Sequence, residues 1–188
     1  THFLRQRLGA LGLAPRAFSY HSMHAGLDEV LAALAAQVRA LPPPVHVVGH
    51  SLGGVLLLEL FARVAALPPG RVVLLGAPAN GSEAACAVSR WPVGPAILGR
   101  LALEQLVTTP RHGWSGTREL GVIAGSLSAG MGRVVARLPE PNDGTVAVAE
   151  TRVDGMREHL VLPVTHTGML FSGEVAGRTA RFLEGGRF

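Results

Sequence analysis

The feature that most constrains the fold is a decapeptide in which a short apolar run meets a glycine-rich turn. Residues 45–54 read Val-His-Val-Val-Gly-His-Ser-Leu-Gly-Gly, and a helix-forming segment follows directly. The order strand, sharp turn, helix, with the pattern G-x-S-x-G, predicts a nucleophile elbow that presents the hydroxyl of Ser51. We expect Gly49 and Gly53 to lack room for a Cβ atom. The alternative interpretation is a glycine-rich turn with a surface serine.

Apolar periodicity along the rest of the chain predicts an α/β fold. We expect strands near 17–20, 45–48, 71–76, 120–125 and 160–164, and helices over 1–11, over 28–41, from the elbow to about 67, and over 174–183. Strands that alternate with helices indicate a doubly wound domain, with a mostly parallel sheet as the middle layer of a three-layer sandwich. We therefore expect one domain over residues 1–188.

Residues 79–117 do not follow this alternation. The segment is rich in Gly and Pro, is poorly periodic, and carries both tryptophans, Trp91 and Trp114. We expect short helices and loops over one end of the sheet. Two interpretations stay open: a lid or acyl-binding wall over Ser51, or a helical connection with its own small core.

Composition excludes several classes of function. An apolar fraction of 48% with 16% charged residues is typical of a compact globular protein. The net charge is +4, but all 17 basic residues are scattered arginines and aromatic residues make up 5%, so we expect no nucleic-acid partner. The lone Cys86 excludes an internal disulfide and a multi-cysteine metal site. We expect no cofactor, no metal and no transmembrane segment; compartment and oligomeric state stay unassigned.

A serine nucleophile needs a base within hydrogen-bond reach and an acid that orients the base. His166 follows the apolar run 160–164, and Asp143 lies in an Asn-Asp-Gly turn after the strand at 120–125. Catalytic groups of such sheets lie at the carboxyl ends of the strands. The sequence therefore favours His166 as the base and Asp143 as the acid, with Glu150 as the substitute acid. The side chain of His50 is expected to point away from that of Ser51 and to pack or to orient the turn.

Three segments together resemble the triad motifs of bacterial lipase-like α/β hydrolases: 49–54, 142–146 and 166–170. The resemblance covers nearly the whole chain. It implies a serine hydrolase that cleaves a small-molecule or lipid ester through an acyl-enzyme. It also implies that Ser51 is the nucleophile, His166 the general base and then acid, and Asp143 the group that fixes the imidazole tautomer. The backbone of Leu52 would donate one oxyanion hydrogen bond.

The sequence departs from this family in one respect. The family carries a second oxyanion donor in a loop after an earlier strand, usually marked by an apolar run and His-Gly, and neither is found before residue 17. We expect an N-terminally truncated α/β-hydrolase fold; the other interpretation is a degenerate relative with weakened catalysis. Two further functions stay open: an acyltransferase or thioesterase on the same triad, and a non-catalytic remnant of the fold.

Overall fold

The computed structural model describes residues 2–20, 26–108, 113–114, 116–128 and 138–188. Its sheet consists of β1 (Val47–His50), β2 (Val72–Leu75), β3 (Leu120–Gly125) and β4 (Glu158–Leu162). The strands lie in the order β1-β2-β3-β4, and all three pairs are parallel. This confirms the predicted α/β class and the parallel sheet.

Helices connect the strands. They are α1 (His2–Ala10), α2 (Leu27–Arg39), α3 (Leu52–Arg63), α4 (Glu83–Ser89), α5 (Gly94–Leu98), α6 (Arg100–Ala102), and α7 (Gly173–Gly185). Helix α6 continues into a π-helical turn, Leu103–Thr108, and two 3₁₀ turns cover Val148–Thr151 and Gly168–Leu170. None of the helices in the described part of the chain is both long enough and apolar enough to cross a membrane.

The sheet separates two apolar cores, because successive side chains of a strand point to opposite faces. Val72 and Leu74 of β2 pack in one core with residues of α2 and α3. Val73 and Leu75 pack in the other with residues of α1 and α7. All four β2 side chains are fully buried, as expected for a central parallel strand. The protein therefore has the predicted three layers.

Several predicted element bounds differ from those of the structure, where β1 begins two residues later than predicted. Residues 17–20 form no strand; Phe18 and Tyr20 instead stack on each other, with ring centroids 5.9 Å apart. Helix α3 ends at Arg63, because Val64 takes an extended conformation and packs on the α2/α3 core. The last strand begins at Glu158, two residues before its predicted start.

Strand β1 lies at one edge of the described sheet. The backbone N–H groups of Val47 and Ser51 donate to carbonyls of Arg71 and Leu75, on the β2 side. The N–H and C=O groups of successive residues in a parallel strand point to opposite edges of that strand. The N–H group of Val48 therefore faces away from β2. No described residue pairs with this outer edge.

A close backbone contact closes the turn between β1 and α3. A Cβ atom on Gly49 would lie 2.6 Å from the Cα of Gly54 and 2.7 Å from the carbonyl oxygen of Gly53. A Cβ atom on Gly54 would lie 2.5 Å from the Cβ of Ala77. Gly53 itself has open space where a Cβ would go, so the expectation that this position requires glycine is wrong. The two constrained positions are Gly49 and Gly54.

Alanine substitutions at Gly49 and at Gly53 should therefore differ in their effect on stability. Gly49→Ala places a methyl group against backbone atoms that cannot move aside, and we expect a loss of about 3 kcal/mol of unfolding free energy. Gly53→Ala is the matched control, because it adds the same methyl group in open space on helix α3 and should be neutral or slightly stabilising. Urea denaturation of the two variants measures the difference, and equal losses would contradict the contact.

Candidate active site

Ser51 is held in a conformation that residues with a Cβ atom rarely adopt. Its φ is 54° and its ψ is −127°. Its N–H donates to the carbonyl of Leu75 over 2.9 Å, and its own carbonyl accepts from the N–H of Gly54 over 2.9 Å. Such backbone outliers cost about 1–3 kcal/mol and concentrate at functional sites. The predicted elbow geometry is therefore present in the structure.

Ser51 is also the residue that caps helix α3, but its hydroxyl makes no capping hydrogen bond. The backbone N–H groups of Leu52 and Gly53 have no acceptor among the described residues. They lie at the positive end of a helix of 12 residues. Unpaired N–H groups at such an end are suited to bind a negatively charged oxygen. The oxyanion role of Leu52 stays a prediction, with a geometry that suits it.

Asp143 and His166 form a hydrogen-bonded pair. Asp143 Oδ2 lies 2.8 Å from His166 Nδ1, and the side chains are 1% and 12% exposed. The backbone N–H of His166 also donates to the carbonyl of Asp143 over 2.9 Å. The second carboxylate oxygen of Asp143 accepts from the N–H groups of Thr145 and Val146. A carboxylate oxygen only accepts, so Nδ1 of His166 carries the proton and donates it to Asp143. In the neutral ring, Nε2 is then left as an acceptor.

The pair lies next to the elbow. Gly76, directly after β2, has a φ of 53°, and a Cβ on it would lie 3.1 Å from both Asp143 Oδ2 and His166 Nδ1. The preceding residue, Leu75, accepts the hydrogen bond from Ser51 N–H. The structure thus brings all three predicted residues to the side of the sheet at which its parallel strands end. It contains no hydrogen bond between Ser51 and His166, as is common for a nucleophile and its base before substrate binds.

Glu150, the alternative candidate for the acid, is hydrogen-bonded to backbone groups. Its two carboxylate oxygens accept from the N–H groups of Glu83 and Ala147, each over 2.7 Å. Burial raises the pKa of this carboxyl. The contacts tie the start of α4 to the loop that follows Asp143, and Glu150 accepts no hydrogen bond from a histidine of the described part of the chain. The geometry therefore favours Asp143 over Glu150 as the partner of His166.

His50 has a contact that sequence reasoning missed. Its Nε2 lies 3.0 Å from the carbonyl oxygen of His166, and the two imidazole centroids are 4.6 Å apart. Burial, and then the neighbouring His166, lower the pKa of His50 to about 4. Alternation along β1 places His50 on the same face as Val48, which packs toward α1 and α7. The sequence predicts this alternation, but it does not predict the contact with the carbonyl of His166.

The segment 79–117 divides between the two ends of the sheet. Ala85 and Leu106 pack with Val55 of α3, and Leu52 packs against this cluster, so this part lies beside the elbow. Trp114 instead contacts the ring of Phe61, near the other end of α3, with centroids 5.3 Å apart. The expectation that the whole segment lies over one end of the sheet is therefore wrong for Trp114. The lid interpretation stays a prediction for the part beside the elbow.

Comparisons with known proteins bear on the family and the fold of this chain. A sequence profile of the Alpha/beta hydrolase family matches residues 2–181. A comparison with curated proteins found no match. The lipase BlEst2 of Bacillus licheniformis, in its mature form, is similar in structure with a TM-score of 0.63 and 18% sequence identity over 86% of this chain and 75% of that chain.

Two further solved structures have the same fold. The metagenomic carboxyl esterase MGS0156 has a TM-score of 0.61 and 19% identity, over 85% of this chain and 62% of that chain. The RedJ thioesterase of the prodiginine pathway in Streptomyces coelicolor has a TM-score of 0.54 and 14% identity, over 85% of this chain and 68% of that chain. Likeness at such identities shows the fold alone, and it confirms the predicted α/β-hydrolase fold.

The strain at Ser51 can be measured with two variants that both remove the hydroxyl. Ser51→Ala keeps the Cβ atom and its conflict with the positive φ, whereas Ser51→Gly removes both. We expect the glycine variant to be more stable than the alanine variant by about 1–2 kcal/mol in urea denaturation. Equal stabilities, or a more stable alanine variant, would show that the elbow carries no such strain.

Acid should destabilise the fold through two histidines. Burial, and then His166 beside His50 and Arg152 beside His159, lower both pKa values to about 4. An unfolded histidine titrates near pH 6.5, so both residues stabilise the fold fully above about pH 6.5. That contribution is lost as the pH falls from about 6.5 to 4, because the unfolded chain binds protons first.

Urea denaturation at pH 7.5, 6, 5 and 4 measures this loss. The matched control replaces His50 and His159 together by glutamine, which does not titrate, and should flatten the profile over this window. An equally steep profile in the double variant would assign the acid sensitivity to other groups.

Proposed function

This chain belongs to the alpha/beta hydrolase family, and we propose that it is a serine hydrolase that cleaves carboxylic esters through an acyl-enzyme. One observation carries the proposal: the buried Asp143–His166 pair lies at the strand ends next to a serine on a strained turn. Each member of that set has a defined task in acyl transfer.

The reaction follows from the positions of these groups. Ser51 Oγ attacks the ester carbonyl while His166 Nε2 takes the hydroxyl proton, and Asp143 stabilises the imidazolium through Nδ1–H. The N–H of Leu52 donates to the oxygen that becomes negative. The tetrahedral adduct collapses to the acyl-serine, and His166 returns the proton to the leaving alcohol. A water molecule, deprotonated by His166, then attacks the acyl-serine, and Ser51 recovers its proton as the acid leaves.

The backbone strain at Ser51 favours catalysis over a non-catalytic remnant of the fold. A positive φ with ψ near −127° is a conformation that glycine adopts without cost. A turn with no chemical task would be more stable with glycine than with serine at this position. A serine that bears about 1–3 kcal/mol of strain, with a base–acid pair beside it, is what a nucleophile elbow requires.

The neighbourhood of the elbow supports an apolar acyl group. Leu52 lies next to a cluster formed by Val55, Ala85 and Leu106. Apolar walls beside a few polar groups are typical of sites for small apolar ligands. The same residues would also serve transfer of the acyl group from a thioester, so the choice of ester rests on the resemblance of the three motifs and is tested directly below.

The first test uses a fluorophosphonate probe, which reacts with activated serines without knowledge of the substrate. We expect modification at Ser51, mapped by mass spectrometry, and none in the Ser51→Ala and His166→Ala variants. Turnover of p-nitrophenyl esters of increasing acyl length is then compared with that of the matching acyl thioesters. A folded protein that the probe leaves unmodified would contradict the proposal, and exclusive turnover of thioesters would redirect it.

The identity of the acid can be tested with a pair of matched carboxylate-to-amide variants. Asp143→Asn should lower kcat on the preferred ester by about 10⁴-fold, because the amide cannot hold the correct tautomer of His166. Glu150→Gln is the control; it keeps an acceptor for one of the two backbone N–H groups and loses the other, which lowers stability, but kcat of the folded variant should stay within about tenfold of the parent. The reverse ranking would assign the acid to Glu150.

A further inference from the structure

The backbone of His166 is held from two directions. Its N–H donates to the carbonyl of Asp143 over 2.9 Å, and its carbonyl lies 3.0 Å from Nε2 of His50. Asp143 also binds its side chain. The position of the imidazole therefore depends on two residues: Asp143 on one side and His50 on the other. The proposed triad uses the first of these contacts and leaves the second without a role.

His50 is joined directly to the hydrogen-bonded turn that carries Ser51. It immediately precedes Ser51, whose backbone is held by hydrogen bonds to Leu75 and Gly54. The ring of His50 also packs against that of His166, with 4.6 Å between centroids. A single residue thus spans from the backbone of the proposed nucleophile to the carbonyl of the proposed base. A shift of the His166 backbone away from the turn that carries Ser51 would break this contact.

The chemistry of the contact fixes the protonation of His50. A carbonyl oxygen only accepts, so Nε2 of His50 carries the proton and donates it. Among the described residues, the titratable groups that act on this ring are His166 and Asp143. Burial lowers the pKa of His50 to about 4, so the ring stays neutral near pH 7. A neutral ring does not repel the positive charge that His166 acquires during acyl transfer.

We propose that His50 is a positioning residue: it donates a hydrogen bond from Nε2 to the carbonyl of His166 and so fixes the distance between the base and Ser51. The inference rests on the proposed serine-hydrolase function and deepens it. His50 touches neither the ester nor the reacting atoms; it acts through His166. Its contribution belongs in kcat and in the reactivity of Ser51, with little effect on the binding of the ester.

Two variants separate the hydrogen bond from packing. His50→Leu replaces the ring by an apolar side chain of similar volume and removes the Nε2–H donor. His50→Gln places an amide N–H close to the position of the histidine Nε2 and keeps the donor. We expect His50→Leu to lower kcat and the second-order rate of fluorophosphonate labelling by about 10- to 100-fold, with KM within about twofold, because misplacement by 1 Å costs as much as 10² in rate. His50→Gln should recover most of both.

His46 provides the matched control. It lies just before β1, at the opposite end from the elbow, and its Nδ1 accepts from the N–H of Arg71 over 3.0 Å. His46→Leu therefore removes one histidine hydrogen bond from the same edge of the sheet without touching His166, and should leave kcat and labelling unchanged. If His50→Leu does not fold, His50→Asn replaces it, since its shorter amide does not reach the carbonyl.

The outcomes distinguish the inference from the function it rests on. Labelling of the parent protein, with equal rates in His50→Leu, would overturn the positioning role and leave the hydrolase proposal standing. Equal losses in His50→Leu and His50→Gln would assign His50 to packing and also overturn the role. A parent protein that is folded but unlabelled would overturn both proposals together. Slow His50→Leu, recovered His50→Gln and unchanged His46→Leu would support the inference.

Discussion

The site depends on the contact between Gly49 and Gly54 across the turn from β1 to α3. A Cβ atom on Gly49 would collide with the backbone of Gly54, and one on Gly54 would collide with the side chain of Ala77. The chain must therefore reverse direction within a single residue, and that residue takes the positive φ. The same reversal places the first turn of α3 directly after Ser51. The N–H groups of that turn that lack an acceptor therefore lie next to the serine. The positions of the proposed nucleophile and of the proposed oxyanion donors thus both follow from one packing contact.

The other half of the site is built by backbone groups that saturate buried carboxylates. Asp143 accepts from two N–H groups of the turn that follows it, and Glu150 accepts from two N–H groups on separate segments. Buried carboxylates are tolerated only when they are bonded in this way. Two of their own acids therefore hold residues 143–150 in place, and one of these acids has a remaining oxygen for His166. Structural and chemical tasks are divided between two carboxylates seven positions apart in the chain.

Local patterns predicted the parts of this protein that local forces determine. The strand-turn-helix order around Ser51, the buried run at 72–75, and the Asn-Asp-Gly turn with Asp143 all follow from residues close together in the sequence. The failures share a different origin. Residues 17–20 have the composition of a strand but no partner strand among the described residues, and the partner of His50 lies 116 positions away. The freedom at Gly53 was missed because the tight contact is made by its neighbour. For residues 17–20 and for His50 the deciding contact is tertiary, whereas for Gly53 it is a detail of the local turn.

The unused hydroxyl of Ser51 has a consequence for helix α3. A serine at the start of a helix ordinarily bonds one of the first free N–H groups, and this contact stabilises the helix by about 1 kcal/mol. Here the hydroxyl makes no such bond. The helix therefore begins incomplete, and the groups that lack a partner are those beside the proposed oxyanion. A negatively charged adduct on Ser51 would supply the missing acceptor, so the reacting molecule itself would finish the first turn. On this view the substrate is, for the lifetime of the intermediate, a structural element of the fold.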